Sequence, residues 1–162
     1  TFDPYLDPKI AADMNVKMVA FDELVKTSDF ISVHAPLTKQ TRHMFGMPQF
    51  KMMKKSAYLI NCARGGLVDT DGLYDALVAG ELSGAALDVT DPEPLPADHK
   101  ILTLPNVIVT CHTSANSDES YVDCQSHAAR EVVGVLSGRG PTTQIKDPWL
   151  LAEAQDEGFG GV

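Results

Sequence analysis

Ala57-Tyr58-Leu59-Ile60-Asn61-Cys62-Ala63-Arg64-Gly65-Gly66-Leu67-Val68-Asp69 decides how this chain folds. It reads as a short buried strand that stops abruptly. Tyr58, Leu59 and Ile60 favour extended structure and carry no charge. Arg64 then follows where the strand has just ended, at its carboxyl end. In an open α/β sheet that edge is where ligands bind. Gly65 and Gly66 permit backbone angles, or a close approach, that other residues resist. The planar fork of Arg64 suits a carboxylate, which it can grip through parallel hydrogen bonds. A turn-closing ion pair would explain an isolated Ala-Arg-Gly equally well. The reading therefore turns on whether other strands end in the same way.

Downstream, Asp69 or Thr70 caps a helix through Leu73, Ala76 and Leu77, and Gly80 stands where a C-terminal cap belongs. Ala85-Ala86-Leu87 is a strand ending at Asp88. Pro92 to Pro96 is loop. Val107 to Thr110 is a strand ending at Cys111-His112. Ser117 to Leu136 is a long helix, with Ser117 and Ser120 able to cap it and Gly138 and Gly140 ending it. Upstream, Phe30 to Val33 is a strand stopped by His34-Ala35-Pro36, since proline cannot extend a central ladder. Thr38 to Gly46 is polar loop, and Met47 to Met53 a short helix with a basic end. Asp7-Pro8 opens a helix through Met14, Val16 to Val19 is a short strand, and Phe21 or Asp22 opens a helix ending near Ser28. Residues 141 to 162 form a tail with Trp149, Leu150 and Leu151 as an apolar anchor and a flexible end from Gly158 to Val162. Strands alternating with helices predict an α/β protein built on a parallel sheet covered on both faces.

At 162 residues the chain is long enough for a sizeable core. Its 44% hydrophobic and 22% charged residues are ordinary for a globular protein. A net charge of −9 argues against nucleic acid or an anionic membrane as partner. No apolar run approaches the roughly 18 residues of a membrane span, and no signal peptide is expected. Cys62, Cys111 and Cys124 show no paired pattern, which points to reduced thiols and a cytoplasmic location. A metal site from Cys62, Cys111, His112 and His34 is disfavoured by its spacing, and no metal is expected.

Parallel strands end along one edge, so Asp3, His34, Asn61 to Arg64, Asp88 and His112 gather there, with Glu93 in the loop after Asp88. Each has a plain alternative. Asp3 could cap the next helix or accept from ribose hydroxyls. Asp88 could form a turn, and His34 is assigned no catalytic role. A Cys111–His112 nucleophile pair is disfavoured, because adjacent strand residues face opposite sides. Arg64, Glu93 and His112 together suggest a chemistry. Arg64 can bind the carboxylate of a 2-oxo acid and polarise its ketone. His112 can give the ketone oxygen a proton as hydride arrives at carbon. Glu93, fixed between prolines, can hold the other imidazole nitrogen and favour the charged ring.

Ordered segments now carry a resemblance: Phe2 to Tyr5, Ile31 to Thr38, Asn61 to Asp69, Gly84 to Pro94, then Leu104 to Val107 and Cys111 to Ala115. Together they resemble the nucleotide-binding domain of the D-isomer-specific 2-hydroxyacid dehydrogenases. The resemblance implies a Rossmann-type doubly wound parallel sheet and NAD as cofactor. It implies Arg64 as substrate arginine, His112 as acid/base and Glu93 as its partner. It places Asp3 at the adenosine ribose, favouring NAD over NADP. Ala35, Pro36 and Leu37 would flank the adenine, and Asp88 would meet the nicotinamide amide. Cys62 and Ala63, with Arg64 and His112, complete the cofactor side. The substrate would be a small 2-oxo or 2-hydroxy acid, and the full-length form a homodimer.

The sequence departs from the family in two places. Cys111 stands where proline usually precedes the histidine. No Gly-x-Gly-x-x-Gly occurs, so the first strand and its glycine-rich turn would lie before Thr1, leaving the sheet incomplete. Residues 1–116 would be the distal part of the NAD-binding domain, 117–140 a connecting helix, and 141–162 a tail returning to a substrate domain. Such a piece alone would bind NAD weakly or not at all. An NAD(H)-sensing corepressor on the same fold is the rival reading. A formate-type dehydrogenase is opposed by Glu93.

Overall fold

The computed structural model describes residues 1–142. Trp149, Leu150, Leu151 and the stretch from Gly158 to Val162 lie outside them. The chain divides into two compact units, the first being Thr1–Ser114. The first unit holds a four-stranded sheet in the order β1 (Phe30–Val33), β2 (Tyr58–Asn61), β3 (Gly84–Leu87), β4 (Val107–Val109), with every pair parallel. Between the strands run α3 (Met47–Met52) and α4 (Thr70–Val78), and ahead of β1 come α1 (Pro8–Asp13) and α2 (Phe21–Thr27). This is the alternation expected of a Rossmann-type sheet.

Local chemistry accounts for the boundaries. Asp7 accepts from Lys9 N at 2.8 Å to open α1, with Pro8 in its first turn. Asp69 accepts from Gly72 N at 3.0 Å to open α4, and Gly80 follows it at φ 67°, a left-handed angle that glycine adopts freely.

The sheet's two faces differ. Ile31, Val33, Leu59, Ala85 and Leu87 are buried with Val25 of α2, Phe50 of α3, and Leu73, Ala76 and Leu77 of α4. Burying each of the Val, Leu, Ile and Phe side chains is worth about 1.5–3 kcal/mol before chain entropy is counted. The expected cover on both faces is seen on this one side within residues 1–114. The other side carries Phe30, Tyr58 and Ile108, which this layer leaves exposed. Tyr58 is thus not buried as its apolar run suggested; it stacks on Phe30 with ring centroids 5.6 Å apart.

Two further expectations are corrected. Val16 to Val19 is no strand: Val16 N turns back to Ala11 O (2.8 Å), and the segment pairs with Thr1 through Thr1 N to Lys17 O (2.7 Å) and Val19 N to Thr1 O (2.9 Å), too short a pairing to propagate. Thr38 to Gly46 is not simply polar loop. Phe45 is buried and pairs with Val68, donating to Leu67 O at 3.1 Å and accepting from Asp69 N at 3.0 Å. That contact seats the single helical turn Gly65–Leu67.

The second unit, from Ala115, contains α5 (Asp118–Leu136). Ser117 and Ser120 cap it reciprocally, each side chain accepting from the other's N–H at 3.1 Å. Gly138 and Gly140, at φ 75° and 73°, follow its end.

Candidate active site

The register aligns Val33, Asn61, Leu87 and Val109 across the sheet, so the chain leaves all four strands along one edge. Backbone bonds carry the ladder past the last strand residues. Asp88 N donates to Asn61 O and Thr110 N to Leu87 O, both at 2.9 Å. His112 N donates to Asp88 O at 2.8 Å.

Beyond β2, Asn61 shapes the turn. It is fully buried, its Nδ2 donating to Arg64 O at 2.9 Å and its Oδ1 accepting from Ala63 N at 3.1 Å. Folded around that side chain, the turn presents Arg64 to solvent, with Nη1 donating to Ala63 O at 2.7 Å. Gly65 explains why no side chain is tolerated next: a Cβ there would sit 1.9 Å from Thr90 O. The arginine turn therefore lies directly against the backbone that leads into Asp91, Pro92 and Glu93. Arg42 fastens the same stretch through a 2.8 Å bond from Nη2 to Asp91 Oδ2.

Glu93 Oε1 lies 2.6 Å from His112 Nδ1. Glu93 reaches across from a loop with proline on either side, and His112 sits just past β4. His112 has φ 54°, unusual for a residue with a Cβ. Asp88, though buried, is a hub. Its Oδ1 accepts from Thr110 Oγ1 at 2.5 Å and Thr113 N at 2.9 Å, and its Oδ2 from Ser114 N at 2.9 Å. The Thr110 hydroxyl, then the donors of Ser114 and Thr113, hold its carboxyl well below the usual carboxylate range.

The structure thus brings Glu93 and His112 into contact, and ties the Arg64 turn to the Glu93 loop through Gly65. Asp3 does not cap α1. It accepts from Tyr5 N at 2.8 Å within its own turn, while Asp7 does the capping. His34 Nε2 pairs with Ser32 Oγ at 2.8 Å. Among Ala35, Pro36 and Leu37, Leu37 lies against Gly66. Cys62 is exposed at the end of β2. Sequence reasoning missed Asn61 and Thr110 as builders of the site. Asn61 had a signal, since an asparagine shortly before Gly-Gly favours a side-chain-closed turn. Thr110 had none, because its partner Asp88 is set by the β3–β4 pairing.

The family description "D-isomer specific 2-hydroxyacid dehydrogenase, NAD binding domain" matches residues 1–114. D-3-phosphoglycerate dehydrogenase of Methanocaldococcus jannaschii is 45% identical over 153 residues, covering 94% of this chain and 29% of that protein. Glyoxylate reductase of Thermofilum pendens is 42% identical over 131 residues, covering 81% of this chain and 39% of its own. Among solved structures, a D-isomer specific 2-hydroxyacid dehydrogenase from Lactobacillus delbrueckii ssp. bulgaricus, in its NAD complexed form, is 34% identical with a TM-score of 0.81. It matches 90% of this chain and 47% of its own. The chain therefore spans less than half the length of each of these relatives. No helix among the described residues is long and apolar enough to cross a membrane.

Proposed function

Because the chain belongs to the D-isomer specific 2-hydroxyacid dehydrogenases through their NAD-binding domain, we propose that it carries the acid/base dyad and substrate arginine of an NAD-dependent 2-hydroxyacid dehydrogenase. The observation that carries this reading is the 2.6 Å contact between Glu93 Oε1 and His112 Nδ1, on the edge where the Arg64 turn also lies. With Nδ1–H donated to Glu93, the free Nε2 is the nitrogen that exchanges a proton with substrate. Glu93 fixes the ring's rotation and tautomer. Arg64 binds the 2-oxo acid's carboxylate in its fork and draws electron density from the ketone. The reduced nicotinamide, when bound, supplies the hydride. In reduction His112 delivers the proton to the ketone oxygen, and in oxidation it takes one from the alcohol.

The donor set suits a nicotinamide dinucleotide at both ends. Asp3 is an exposed carboxylate for ribose hydroxyls, and its charge would repel the 2′-phosphate of NADP. Arg64, Asp88 and His112 serve the nicotinamide end, with Cys62 and Ala63 along the same turn and Ala35 to Leu37 on the adenine side. No Gly-x-Gly-x-x-Gly turn occurs among the described residues to cradle the pyrophosphate. We assign residues 1–116 to the nucleotide domain, 117–140 to a connecting helix and 141–162 to a return toward a substrate domain. The whole protein acts as a cytoplasmic homodimer on small 2-oxo acids of the glyoxylate and hydroxypyruvate type.

The test is NADH-dependent reduction of glyoxylate and hydroxypyruvate by the full-length protein. His112→Ala should cost about 10²–10⁴ in rate. Retention of wild-type turnover in that variant refutes the assignment.

A further inference from the structure

Three successive backbone N–H groups converge on one residue. Those of His112, Thr113 and Ser114 donate respectively to the carbonyl, Oδ1 and Oδ2 of Asp88, at 2.8, 2.9 and 2.9 Å. Consecutive N–H groups pointing one way form a concave nest for an anion. Here the anion is supplied by the chain itself, from the end of the neighbouring strand, and two of the three N–H groups, those of Thr113 and Ser114, reach its carboxylate. The arrangement requires the chain to reverse just after β4, and His112 makes that reversal at φ 54°. A residue with a Cβ holds a left-handed angle only when its surroundings enforce it. The carboxylate is the group that does so, because it engages the N–H groups on the far side of the reversal. The imidazole is left directed at Glu93, 2.6 Å away. Thr110 donates its hydroxyl to the same Oδ1 and so orients the carboxylate from the strand side.

We propose that Asp88 is the positioning residue of His112, its carboxylate accepting from the N–H groups of Thr113 and Ser114 and thereby fixing the backbone reversal that aims the imidazole at Glu93. The inference rests on the acid/base role proposed for His112. It also differs from a role for Asp88 confined to the nicotinamide amide, because the bonds it rests on are all made within the chain.

The experiment uses the full-length protein carrying Asp88→Asn, Thr110→Val, Thr110→Ser or His112→Ala. Three quantities are read: kcat at saturating NADH, NADH affinity by fluorescence titration, and the ring-nitrogen resonances of His112 in the cofactor-free protein. In Asp88→Asn an amide N–H replaces one acceptor and faces a backbone donor. We expect kcat to fall about tenfold or more, since displacing a reacting group by about 1 Å costs roughly 10². The loss should persist at saturating NADH whatever the change in NADH affinity, and the His112 resonances should lose the signature of a fixed Nδ1–H···Glu93 bond. Thr110→Val should give the same changes in smaller measure, and Thr110→Ser should restore them. Weakened NADH binding with unchanged kcat and unchanged His112 resonances overturns the proposal. Should Asp88→Asn fail to fold, wild-type kcat and resonances in Thr110→Val overturn it equally. Full activity in His112→Ala sinks the acid/base assignment instead, and the resonances of Asp88→Asn still report whether the ring is positioned.

Discussion

Adding one methyl group at Gly65 should damage the protein more than its size suggests. The Cβ of Gly65→Ala would lie 1.9 Å from Thr90 O and 2.1 Å from its carbonyl carbon. Ordinary contact begins near 3.4 Å, so one backbone must retreat by about 1.5 Å. Neither side can yield by rotating a side chain, because both are main chain. The Arg64 turn is pinned by Asn61, and the Thr90 segment by Arg42 through Asp91. Overpacking of this kind costs about 1–3 kcal/mol, or several degrees in Tm for a chain of this size. Function should suffer more. The retreat separates Arg64 from the loop that carries Glu93, and about 1 Å of misplacement is worth roughly 10² in rate. The assay is kcat/KM for glyoxylate or hydroxypyruvate beside a thermal melt, both on full-length protein. Gly66→Ala is the milder comparison: its Cβ would come nearest to side-chain ends, Leu37 at 3.0 Å and the Asp91-bound guanidinium of Arg42 at 3.1 Å, with no overlap as deep as 1.9 Å. If Gly65→Ala matches Gly66→Ala in both readouts, the two backbones are not in the contact described. If Gly65→Ala lowers Tm but leaves kcat/KM intact, the turn and the loop are not coupled through to chemistry.

Arg64→Lys should raise KM and lower kcat together, because a point charge replaces a fork that both holds the carboxylate and polarises the ketone; steady-state kinetics with near-normal values for both would remove Arg64 from its role. Asp88 should shape the acid limb of stability. Its carboxyl is depressed in the folded chain, so the stability it contributes is complete above the unfolded value of about 3.9 and drains away as pH falls below it. Denaturant titrations from pH 6 downward should therefore show a shallower acid limb in Asp88→Asn than in the wild type, and parallel limbs would mean that the carboxylate is not held in the folded state.

The strands, the helices between them and the convergence of their ends were legible because periodicity and punctuation are local. Phe30 to Val33 announces itself by composition and by the proline beyond it, and Asp69 with Gly80 brackets α4 from both ends. Arg64, Glu93 and His112 could be singled out because each stands next to a strand end or a proline. Thr110 was passed over because its partner Asp88 is fixed by three-dimensional pairing, whereas the turn that Asn61 closes is local and its role was open to reading from the asparagine shortly before Gly-Gly. Val16 to Val19 misled for a related reason: its β-favouring residues state a preference, and a strand also needs a neighbour of adequate length. Phe45 looked like part of a polar loop until Val68 was found beside it. Tyr58 read as buried because its neighbours are apolar, yet the register sends it to the opposite face from Leu59.

The all-parallel ladder also governs how the protein comes to assemble its candidate active site. Phe30 pairs with Tyr58, Tyr58 with Gly84, and Ala85 with Val107, each partner lying beyond an intervening crossover. No two of these strands can close as a hairpin. Each pairing must first meet the entropy of closing a long loop, which makes such topologies slow to assemble. The arginine turn needs β2, Asp88 needs β3 and the histidine needs β4, so no early folding intermediate holds a partial catalyst. During refolding, dehydrogenase activity should therefore return with the last crossover rather than in step with helix content.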